Sequence, residues 1–175
     1  MMNRFKSPLI LQCLIFLIPL NIYMWGDWLL VNAQWALFRY QQSPYGNSLI
    51  LGYKDILYIY LGQNTGLYNI AAAGFWTTGA ALLLIGLIVT IIAYFEEEPY
   101  KIKTASYFTL CGGILLGLSA ICRFNAGFAI PIGVPIILII GWWMYQETDE
   151  AEEMEDETDD ETDNETDDND TSGAE

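Results

Sequence analysis

Histidine is absent from this chain, and cysteine occurs only three times. Without histidine there is no commonest general base and no commonest metal ligand, so no Ser–His or Cys–His pair can form. Cys13, Cys111 and Cys122 all fall in apolar runs. Cys111 and Cys122 share a helical face but stand about 16 Å apart at the helical rise, beyond disulfide reach. The three read as small apolar packing residues, with neither a disulfide framework nor metal-ligand spacing. No glycine-rich phosphate loop occurs, and Gly112–Gly113 lies inside a lipid-length apolar run. These absences leave no catalytic, cofactor-binding or metal residue to name, and the chain reads as a non-enzyme.

Charge is scarce in one region and one-sided in another. Of 22 acidic residues, 17 lie between Glu147 and Glu175, where there is no Lys or Arg. Residues 1–146 hold all seven basic residues and five acidic ones (Asp27, Asp55, Glu96, Glu97, Glu98), a near-neutral balance. A soluble domain of that length needs a charged surface, and this one has little, so the sequence describes an apolar body with an acidic tail.

What is abundant is apolar length. A hydrocarbon core of about 30 Å takes about 20 apolar residues as helix, with every buried backbone group satisfied within the segment. Pro8–Trp25, Ala71–Phe95, Thr104–Cys122 and Gly127–Tyr145 meet that length. The expected fold class is therefore an all-α integral membrane protein, a four-helix transmembrane bundle with a disordered acidic C-terminal tail. Its parts are an N-terminus at 1–7, spans at 8–25, 71–95, 104–122 and 127–145, an external loop at 26–69, a cytoplasmic loop at 96–103, an external turn at 123–126, and the tail at 146–175. Trp25, Trp28, Trp76, Phe124 and Phe128 would form the outer aromatic rim. Tyr94, Phe95, Tyr107, Trp142, Trp143 and Tyr145 would form the inner one. Arg4, Lys6, Lys101 and Lys103 against Arg39, Lys54 and Arg123 give a small positive-inside bias that puts both termini in the cytoplasm. A rival reading takes the N-terminus as a signal peptide cut after "VNA" (Val31–Ala33), leaving three spans.

Between the first two spans, Trp28, Val31, Trp35 and Phe38 stand at helical spacing and suggest a continued or interfacial helix. "QQSPYGNS" (Gln41–Ser48) is a turn by composition. "ILYIYL" (Ile56–Leu61), β-branched and aromatic, reads as a short strand, with a fifth membrane-contacting element as the alternative.

Small residues mark the helix packing. Ala72, Gly79, Gly86 and Ala93 repeat every seven residues in the second span. Ser106, Gly113 and Ala120 do so in the third, where Gly113 and Gly117 also make a GxxxG. Such rows let backbones approach where lipid supplies no hydrophobic drive, so the second and third spans are expected to pair as an antiparallel hairpin. In "PIGVP" each of Pro131 and Pro135 removes an N–H, which points to a kinked helix, or to a broken one lining a site. No ionisable residue sits mid-span. Gln12, Asn21, Thr77, Thr78 and Thr90 are neutral and can bond across helices. Asp27 and Arg123 both fall near the outer rim, either solvated separately or paired.

The tail repeats E-T-D-D/N as "ETDDETDNETDD" (Glu157–Asp168) and has almost nothing to bury, so it is expected to be disordered. It lacks the glycine and spacing of a calcium loop. A solvating brush, an attractor for a basic protein partner and an adaptation to high salt are its three readings. "NET" at Asn164 and "NDT" at Asn169 match a glycosylation pattern that matters only if the orientation is reversed. The expected partners are the bilayer, further copies of the chain or a larger membrane complex, and a basic protein for the tail, but no nucleic acid. The expected role is structural or accessory, in a membrane complex, an envelope or a virus-modified host membrane. A small oligomeric transport or channel subunit is the alternative.

Overall fold

The structure, a computed structural model, describes residues 6–25, 30–62, 66–96, 98–124 and 127–148. Its elements in chain order are α1 (Lys6–Ile15), β1 (Asn21–Trp25), β2 (Leu30–Gln34), β3 (Phe38–Ser43), β4 (Gly46–Leu51), α2 (Gly52–Tyr60), α3 (Leu67–Glu96), α4 (Pro99–Phe124) and β5 (Gly127–Ile130). A last helix, α5, covers residues 134–148. The five strands form one antiparallel sheet in the order β4-β3-β2-β1-β5. This is not an all-α four-helix transmembrane bundle. Among the described residues, two helices are long and apolar enough to cross a membrane, Leu67–Glu96 and Tyr100–Phe124.

Proline explains why two of the four apolar stretches are not continuous helices. In Pro8–Trp25 the helix α1 ends at Ile15, and β1 begins two residues after Pro19. In Gly127–Tyr145 the chain is extended up to Ile130 and crosses Pro131, and helix starts only at residue 134. Proline cannot donate to the helical ladder and biases the residue before it away from helix. In the first turn it leaves no helical bond missing, and Pro8 and Pro135 sit there. At ten and fifteen residues, α1 and α5 measure about 15 and 22 Å; α3 and α4 have no internal proline and reach about 45 and 39 Å.

The region expected as an external loop with a helix, a turn and a short strand supplies three strands and α2. Trp35 and Phe38, expected on a helical face, stack across the tight β2–β3 connection with ring centroids 4.9 Å apart. The "QQSPYGNS" turn closes the β3–β4 hairpin: Ser43 Oγ accepts from the Tyr45 N–H at 3.3 Å and donates to the Gly46 carbonyl at 2.8 Å, with Gly46 at φ +133°. "ILYIYL" lies mostly within α2 and is helical, not a strand.

The sheet is inverted with respect to polarity. Side chains alternate faces along a strand, and the observed register puts Asn21, Tyr23, Asn32, Gln34 and Arg39 on one face, all buried. The opposite face carries Ile22, Met24, Val31 and Ala33, half-buried, with Tyr40, Leu49, Leu51, Phe128 and Ile130 exposed.

The helical core holds Ile15, Leu83, Ala105, Leu116, Ile137, Ile140 and Met144. Trp76, placed on the outer rim by the sequence, is instead 1% exposed, and its indole N–H donates to the Trp35 carbonyl at 3.0 Å, tying α3 to the sheet.

Candidate functional site: a buried guanidinium–carboxylate cluster under the sheet

Alternation along β3 turns Arg39 to the buried face, and the helical turn of α2 brings Asp55 to meet it. Arg39 Nη2 donates to Asp55 Oδ1 at 2.8 Å. Arg39 Nη1 donates to the Tyr23 hydroxyl at 2.9 Å and to Asn32 Oδ1 at 3.2 Å. From the last turn of α4, Arg123 places Nη2 at 3.9 Å from the other carboxylate oxygen of Asp55 and its guanidinium 4.4 Å from the Tyr23 ring centre. Desolvation acts against the Arg39 charge, but Tyr23 and Asp55 more than offset it and hold its pKa above the ordinary value. One carboxylate thus clamps two arginines arriving from different elements, and through Arg39 and Arg123 the cluster joins β1, β2, β3, α2 and α4.

Separate solvation of Arg123 is therefore not what the structure has: its side chain is 10% exposed and faces Asp55. The other proposed partner, Asp27, lies outside the described residues. Next to the cluster, Asn21 and Gln34 face each other across β1 and β2, fully buried, and their side-chain amides meet no protein partner among the described residues. The Nε atoms of Arg39 and Arg123 are likewise buried without one. Sequence reasoning missed this layer, although the period-two pattern of polar residues in "NIYMW", "VNAQ" and "FRYQQS" carries its signal.

The small residues named from the sequence lie as follows. Ala72, Gly79, Gly86 and Ala93 are all buried on α3. A Cβ on Gly79 would stand 3.0 Å from the Gly112 carbonyl oxygen of α4 and 3.0 Å from Leu116, so the two backbones touch there. A Cβ on Gly86 would stand 2.8 Å from Gln12 Nε2 of α1 and 3.3 Å from Thr109 Oγ1 and the Ala105 carbonyl oxygen. The Ala72 carbonyl accepts from Ser119 Oγ at 2.7 Å. The residues of α4 that these contacts bring to α3 are Ala105, Thr109, Gly112, Leu116 and Ser119, one position off the row Ser106, Gly113 and Ala120. Ser106 and Ala120 are buried, and the Ser106 hydroxyl donates to the Lys103 carbonyl at 2.7 Å. Gly113 faces Ile137 and Leu138, and Gly117 faces Val134, so both receive α5.

Within the helices Gln12 and Thr109 make a buried contact between side chains. Gln12 Nε2 donates to Thr109 Oγ1 at 2.9 Å, and that hydroxyl donates to the Ala105 carbonyl at 2.8 Å. Cys13 and Cys111 are exposed free thiols, and Cys122 is a half-buried one. Among the described residues no group of His, Cys, Asp and Glu could hold a metal ion. No family model matches the chain, and no curated protein matches its sequence.

Proposed function

We propose that the chain is a non-catalytic structural or accessory component of a membrane, held there by the α3–α4 hairpin. The observation that carries this reading is the filled helical interior. Leu83, Leu116, Ile137 and Met144 are fully buried, and α3 and α4 meet backbone to backbone at Gly79 and Gly112. Such an interior resists deformation, as close-packed cores do. The charged cluster fits the same reading, because both Asp55 oxygens face guanidinium groups and the cluster acts as a clamp between elements.

The proposed topology puts both termini and the α3–α4 connection on one side of the membrane. Gln12 lies at the level of Gly86 while Leu20 lies against Gly133, so α1 begins toward the connection. Lys103 sits 5.7 Å from the Tyr145 ring centre, which brings the end of α5 to the same side. Lys6, Lys101 and Lys103 at that side make it the cytoplasmic one by the positive-inside rule. Residues 149–175 lie outside the described residues. From composition we assign the tail as a charged solvating segment, and any basic partner it attracts should be released by salt.

Native mass measurement after mild extraction, paired with solute flux in reconstituted vesicles, tests this reading. A stable assembly without flux is the expected result. Flux that depends on the protein would overturn it in favour of a transport or channel subunit. External protease reaching the tail in intact cells would reverse the topology.

A further inference from the structure

The helix α2 is built the wrong way round for water. In a helix that packs on a water-soluble domain the apolar stripe turns inward. Here Tyr53, Ile56, Leu57, Tyr60 and Leu61 are all exposed, Tyr60 at 86%, while Asp55 is 6% exposed. At 100° per residue those five positions cover an arc of about 140°, and Asp55 points almost opposite its centre. The rotation of α2 is locked, because Asp55 is tied to Arg39 and Arg123 below it. Gly52 fixes the start of the helix, since a Cβ there would press at 3.3 Å on the Leu37 carbonyl and at 3.4 Å on the Trp76 ring.

We infer that the Tyr53–Leu61 face of α2 lies in the interfacial zone of the bilayer, as an in-plane rest beside the point where α3 enters the membrane. This deepens the membrane reading above and rests on it. Lipid is the occupant because α2 packs beside α3, a helix of membrane-crossing length that exposes apolar residues of its own. Gly52 touches Trp76, two and a half turns into α3, so α2 lies beside the first turns of that helix. Those turns expose Leu67, Tyr68 and Ile70, and further along the helix Ile85, Ile88, Ile91 and Ile92 are exposed in turn. Tyr53, Tyr60 and Tyr68 add the rings with polar tips that prefer the headgroup boundary.

Spin labels measure the depth directly. Cys13, Cys111 and Cys122 are replaced by Ala, and single cysteines are introduced as Ile56→Cys, Tyr60→Cys, Ile88→Cys and Tyr45→Cys, all at exposed side chains. Each labelled protein is reconstituted in phosphatidylcholine vesicles. Its collision rates with oxygen, which favours lipid, and with a water-soluble nickel chelate are then compared. The oxygen-to-nickel ratio is expected to be lowest at Tyr45, higher at Ile56 and Tyr60, and highest at Ile88. Labels at 56 and 60 that match Tyr45 while Ile88 remains high would overturn the placement of α2 and leave the membrane reading standing. A low ratio at Ile88 as well would overturn both. Labels at 56 and 60 shielded from both reagents would mean that protein covers the stripe, and spin–spin broadening would then identify a second copy; either result overturns the lipid assignment.

Discussion

The two ends of the molecule are held together by opposite means. Where α3 and α4 pair, the contact is backbone against backbone, with glycine on both sides at Gly79 and Gly112 and apolar side chains filling the remaining space. Under the sheet, the contact is charge against charge, with Asp55 between Arg39 and Arg123 and amides crowding beside them. The helical end tolerates little added volume at Gly79, because the Gly112 carbonyl it faces is main chain and cannot rotate away. The sheet end tolerates no lost charge, because each partner was desolvated for the others.

The largest effect should come from breaking the cluster. Asp55→Ala leaves two buried guanidinium groups without their carboxylate, and removing one member of a buried pair costs about 3–5 kcal/mol. Thermal unfolding in detergent should show the loss, and Arg39→Met added to Asp55→Leu should recover part of it. If Asp55→Ala melted like the parent, the sheet end would not depend on this clamp.

Overpacking comes next and divides the glycines. Gly79→Leu meets the Gly112 carbonyl and should cost about 1–3 kcal/mol or more, with a lower folded yield. Gly113→Leu first meets the side chains of Ile137 and Leu138, which can shift, and should cost less. Equal losses at both positions would remove the distinction between a backbone seam and a side-chain contact.

A smaller change tests the polar contact of the helical end. Gln12→Leu removes the bond to Thr109, whose hydroxyl keeps the Ala105 carbonyl, so a loss of about 1 kcal/mol is expected in the same melting assay. Leu84→Ile, at a half-buried position of α3, should fall within about 0.5 kcal/mol. A larger loss there would mean that this face of α3 is as tightly packed as the seam.

Much of the helical end was readable in the residues. The stretches Ala71–Phe95 and Thr104–Cys122 lack proline, and they fall inside α3 and α4. The outer two stretches misled because hydropathy averaged over a span hides both the breaks at Pro19 and Pro131 and the polar alternation after them. "NIYMW" and "GFAI" are apolar enough to count toward a span, yet they pair with each other across most of the folded part of the chain. Arg39, Asp55 and Arg123 were visible only as scattered loop charges. Their meeting depends on the register of β3 and the rotation of α2, which no local spacing encodes.

The sequence by itself determined the division into an apolar body and an acidic tail, the two long helices, the β3–β4 turn and the absence of histidine chemistry. Each of these follows from local composition: an apolar run without proline has nowhere to leave the helix, and Pro44 with Gly46 admits a tight turn. Tertiary structure alone decided that β1 and β5 pair, that Gly112 and not Gly113 meets Gly79, and that one carboxylate serves two arginines. The physical reason is that these contacts join groups far apart in the chain, so their free energy appears only once both are in place. For α2 the two levels act together: the stripe is written in the residues, and the ion pair beneath it decides which way the stripe faces.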